Sequence, residues 1–62
     1  MGAEESLRRA EDLMERLEET RARFEATTDP ETAIEVLTEL REIAREVEAA
    51  LSQAKREADA ST

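Results

Sequence analysis

The chain has 62 residues, with 9 Lys or Arg against 17 Asp or Glu, giving a net charge of −8. It has no Cys, His, Trp or Tyr, and one each of Gly, Pro and Phe. Length allows one small domain at most, the missing Cys excludes disulfides and any zinc site built from Cys or His, and the acidity opposes direct binding to nucleic acid or to anionic membrane surfaces.

In the first half, apolar residues fall at Ala3, Leu7, Ala10, Met14, Leu17 and Phe24. The steps are four, three, four, three and seven, the period of an amphipathic helix. The stretch has no interior Gly or Pro, and Ala, Leu, Glu and Arg are good helix formers. A helix is expected from about residue 3 to about 26. With Leu7 at heptad position a, Ala10, Leu17 and Phe24 are d, and Leu13 is g. Acids at Glu5, Asp12 and Glu19 each precede an Arg by four residues, the favourable order for a helix ion pair. Position e is an unbroken acidic column: Glu4, Glu11, Glu18 and Glu25.

The punctuation comes at Ala26-Thr27-Thr28-Asp29-Pro30-Glu31. Pro30 suits a first helical position, since its φ is fixed and the N–H it lacks would be unpaired there. The residue before proline is pushed out of the α region. Asp29 therefore reads as an N-cap accepting from free backbone N–H groups. A capping box from Thr28 to Glu31 competes with it and would start the helix one residue earlier.

The second half carries Ala33, Leu37, Leu40, Ala44, Val47, Leu51, Ala54 and Ala58, with steps alternating four and three. A second helix is expected over about 30–58, followed by a frayed tail over 59–62. Its g column holds Val36, Ile43 and Ala50, and Ile34 stands at e. A loop of about three residues, 27–29, forces the helices antiparallel. The fold class expected is all-α: a helix-loop-helix hairpin in a single domain.

Two helices touch along one line only. If a and d face the neighbouring helix, Leu13, Val36 and Ile43 are left on the flank. A large side chain contributes ~1.5–3 kcal/mol when fully buried, while ordering the backbone costs ~1–2 kcal/mol per residue. Small chains usually need a staple, and the one open to this chain is association. A two-fold homodimer forming a four-helix bundle is expected, or docking on a larger helical protein. The interface residues expected are Leu7, Leu13, Met14, Leu17, Arg21, Phe24, Val36, Leu37, Leu40, Ile43, Val47 and Leu51.

Arg21 sits at an a position, where an apolar group belongs. It reads either as snorkelling, stem packed and head wet, or as a register-setting group paired with a carboxylate across the interface. Glu18 or Glu25 could neutralise it within its own helix. Phe24 reads as core. The Glu column reads as a solvated edge, because calcium and magnesium need several oxygens converging on one loop or cavity. No cofactor is expected. Without His, Cys or a Gly-rich phosphate loop, no catalytic activity is expected of the chain alone. The N-terminus lacks a secretory pattern and no apolar run approaches membrane-span length, so a cytoplasmic location is expected.

Leu17-Glu18-Glu19 with Arg23-Phe24-Glu25, Pro30 after a short loop, Ile43-Ala44-Arg45 and Ala50-Leu51-x-x-Ala54 together resemble the small subunit of bacterial exonuclease VII. The loop here, Thr27-Thr28-Asp29, has no Gly, where that family usually carries one. The resemblance implies a non-catalytic accessory hairpin that binds the helical arm of a catalytic subunit acting on single-stranded DNA. An engineered bundle is a further reading, although Arg21 and the alanine-thinned layers depart from idealised packing.

Overall fold

The structure, a computed structural model, describes residues 2–60. Two helices make up almost all of it: α1, Ala3–Ala26, and α2, Pro30–Ala60. They fold back on each other as an antiparallel hairpin about 50 Å long and 14 by 13 Å across.

Helix α1 starts at Gly2, whose carbonyl accepts from the N–H groups of Glu5 and Ser6. Glu4 and Glu5 place negative charge at the positive end of the helix dipole. At the other end Thr27 leaves the helix in an extended conformation (φ −81°, ψ 130°). Its N–H donates to the Phe24 carbonyl and its hydroxyl to the Arg23 carbonyl. Two orphan carbonyls are thus satisfied without a left-handed residue, and no described residue has a positive φ.

Of the two competing starts for α2, the Asp29 cap is the one formed. Asp29 Oδ2 accepts from the Thr32 N–H at 2.9 Å and from the Thr32 hydroxyl at 2.8 Å. The Asp29 carbonyl accepts the first helical bond, from Ala33. The backbone bond from Thr32, then its hydroxyl bond, hold the Asp29 carboxyl below its ordinary pKa. At its far end α2 runs to Ala60. That is two residues beyond the expected end near 58, and Ser61 and Thr62 of the expected tail lie outside the described residues.

The seam differs from the expected one. Columns g and d face the neighbouring helix, and column a does not. Leu13, Val36, Ile43 and Ala50 of column g are buried, as are Ala10 and Ala54 of column d. Leu13, Val36 and Ile43 are not left on a flank; they are the inside of the hairpin. The physical reason lies in Arg21. A seam on a would bury that guanidinium, and a buried charge is costly unless fully paired. A seam on g admits Ser6, Leu13 and Thr20 from α1, small or compact side chains that let the helices approach.

Ser6 and Thr20 are both 2% exposed. The Ser6 hydroxyl donates to Glu57 Oε1 across the open end of the hairpin. The Thr20 hydroxyl donates to the Arg16 carbonyl one turn back, at 2.9 Å. No buried side-chain polar atom among the described residues lacks a partner. Ser6–Glu57 at one end and Arg23–Glu39 nearer the loop mark the register. In it Leu13 lies level with Ala50 and packs with it in one cluster, flanked by Val47.

Candidate interaction surface

Exposure rises in one direction around both helices. Column g is buried. The larger d side chains, Leu17, Phe24, Leu40 and Val47, are half-buried. Column a is exposed: Leu7 48%, Met14 50%, Leu37 37% and Leu51 46%. Ile34, at the adjacent e position, is 65% exposed. In an antiparallel pair, matching columns lie on the same side of the seam, so the a residues of α1 and α2 share one face. All the exposed large apolar side chains of the described residues stand on that face or at its edge. The d residues form its floor.

The opposite flank has the reverse chemistry. Its c positions carry Arg9, Arg16 and Arg23 on α1 and Glu39, Glu46 and Gln53 on α2. Arg23 pairs with Glu39 across the helices at 3.2 Å. This flank is finished by charge and water, as solvated helix faces are.

Arg21 lies at the edge of the apolar face. Its side chain is 53% exposed, and it bonds Glu18 at 3.0 Å and Glu25 at 3.1 Å within its own helix. The bond to Arg21, then its charge, lowers the Glu18 pKa, and the reciprocal bond raises that of Arg21. Of the four column-e acids on α1, two are thus tied to one guanidinium.

A depression lined by Glu11, Asp12, Met14, Glu15 and Glu18 is open to solvent, and a crevice between the helices is lined by Ser6, Arg9, Glu46 and three neighbours on α2. No group of three or more acidic residues among the described residues is arranged to hold a metal ion. No described helix is long and apolar enough to cross a membrane.

Of the residues expected at an intermolecular interface, the structure splits the set. Leu7, Met14, Leu37 and Leu51 stand exposed on one face, with Leu17, Phe24, Leu40 and Val47 beneath them. Leu13, Val36 and Ile43 serve the hairpin itself. The spacing of apolar residues gave no sign of Ser6 or Thr20 inside the seam. Their heptad position was the available signal, since each lies seven residues from Leu13 on column g. The chain matches no protein-family model, no curated protein and no solved structure.

Proposed function

We propose that this chain is a small cytoplasmic oligomerisation module, without catalytic activity of its own, that pairs with a second copy to close a four-helix bundle. The observation that carries the reading is the one-sided exposure of column a above a half-buried column d. Turned toward a second hairpin, d and the apolar members of a point into a common interior, with the Arg21 head held at the rim by Glu18 and Glu25, while g keeps each hairpin together. A face apolar over both helices is wider than a two-stranded seam uses and suits a helix with two neighbours.

Sedimentation or light scattering across a concentration series tests it. The expected result is a dimer whose melting temperature rises with protein concentration, because association stabilises only the folded form. A folded monomer at micromolar concentration, with a concentration-independent melt, overturns self-association.

A second reading, which a concentration-independent melt leaves standing, is an accessory subunit of a larger enzyme such as an exonuclease VII-like complex. One observation supports it: Leu17, Phe24 and Leu51, from the stretches that resemble that family, all border the open face. It predicts incomplete folding alone and ordering upon a helical partner.

A further inference from the structure

The open face also carries information about how two copies meet. We infer that they dock with the loops at the same end, α1 of each copy lying along α2 of the other. This inference rests on the self-association proposed above and adds its orientation.

Two aligned arrangements bring the same face of two hairpins together with two-fold symmetry. With the axis along the bundle, α1 faces the partner's α2 and the loops lie together. With the axis across the bundle, α1 faces the partner's α1, α2 faces the partner's α2, and the loops lie at opposite ends. Both bury the same a residues, so apolar burial does not choose between them. The rim does.

Position e borders column a on the outer side. On α1 this column is Glu4, Glu11, Glu18 and Glu25; on α2 it is Ile34, Arg41, Glu48 and Lys55. In the loops-apart arrangement the acidic column of α1 lies against its own copy, with only Arg21 beside Glu18 and Glu25 to offset it, while on the other rim Arg41 and Glu48 of α2 lie opposite the partner copy's Glu48 and Arg41. Like charges so placed are destabilising. In the loops-together arrangement the register of the hairpin carries over to the neighbouring copy. Glu25 then falls near Arg41 and Glu11 near Lys55. Glu18 falls near Glu48, the one repulsive level, and Glu18 is already bonded to Arg21. At that height Arg21 meets Ala44, a small residue that leaves room for the guanidinium stem. Each of the two identical α1–α2 rims thus carries two attractions and one partly neutralised repulsion, whereas loops-apart docking offsets one attractive α2–α2 rim with an α1–α1 rim of eight acids.

Lys55 is the sole lysine of the chain, which makes the test direct. Carbodiimide coupling joins a lysine amine to a carboxylate it already touches. An equimolar mixture of ¹⁴N and ¹⁵N protein, coupled at low salt, is separated, and the linked peptides of the covalent dimer are read by mass spectrometry. Loops-together docking gives Lys55–Glu11 links carrying one light and one heavy peptide. Mixed-isotope links from Lys55 to a carboxylate of α2, Glu31 or Glu35 being the nearest in level, or a dimer by mass with links only inside one chain, overturn the orientation and leave self-association standing. A monomer by mass with no covalent dimer removes the reading beneath it. As an independent check, Glu11→Lys weakens dimerisation a few-fold at low salt if Lys55 lies opposite, the effect of exposed rim charges. Tighter dimerisation by the same variant, the loops-apart result, contradicts the inference.

Discussion

On one side of the helix–helix seam Arg23 reaches across to Glu39, and arginines of α1 stand over acids and a glutamine of α2. On the other side Met14 and Leu51 occupy the same level of the hairpin, each about half in water. Both flanks border the same buried g column, yet only one ends in groups that water satisfies. The difference teaches that a helix pair of this size does not distribute its apolar residues evenly. It completes one flank against solvent and leaves the other apolar and exposed, the face on which the proposed pairing rests. A solvated flank is cheap to alter; an unfinished one has consequences at the level of assembly.

That contrast can be broken at the seam itself. Ile43→Ala, at a site 3% exposed, removes several buried carbons and is expected to cost ~2–5 kcal/mol. For a small domain that is most of the available stability, so the cooperative thermal transition by circular dichroism disappears. Retention of a sharp melt would mean that g is not the seam. Next in size, Met14→Glu with Leu51→Glu puts charge on both helices of the open face. Dimerisation is expected to weaken at least a hundredfold, since each large side chain contributes ~1.5–3 kcal/mol on full burial. The measurement is sedimentation across concentration, and an unchanged mass would show the a flank to be an ordinary surface.

A smaller effect belongs to the turn that joins the flanks. Asp29→Ala removes the cap of α2 and should lower the melting temperature by several degrees at neutral pH. Asp29 has a depressed pKa in the folded chain. Its contribution is therefore full above the unfolded value and is lost as pH falls through the folded one. The gap between wild type and variant should narrow as pH falls below about 4, and a gap with no pH dependence in acid would assign the loss to something other than the carboxylate. Smallest of all, Arg23→Ala with Glu39→Ala on the charged flank should change stability by no more than ~1 kcal/mol and leave the mass of the assembly untouched.

Much of the hairpin was legible from residue spacing. Alternating steps of four and three gave both helices, and Asp29-Pro30 gave the start of the second. The seam was harder to read, because a, d and g are all apolar on α2 and periodicity alone does not rank three adjacent columns. Arg21 held part of the missing information: a guanidinium at a disfavours burying that column in a two-helix seam. It was read as an exception within the seam when it marks the seam's limit. Ser6 and Thr20 were hard to see for a related reason. A hydroxyl becomes acceptable inside only once a partner is placed, Glu57 for Ser6 and the Arg16 carbonyl for Thr20, and such partners come from register or backbone geometry. The end of α2 shows the remaining kind of miss, because helix ends blur by a residue or two.

The clasp between Ser6 and Glu57 has a geometrical outcome. It holds Gly2 and Ala60 at one pole, opposite the turn. In the loops-together pairing four such strands of backbone would issue from a single pole, leaving two turns alone at the other. Whatever is grafted onto either extremity would then be gathered in a tight cluster at that pole, with the rod acting as a handle.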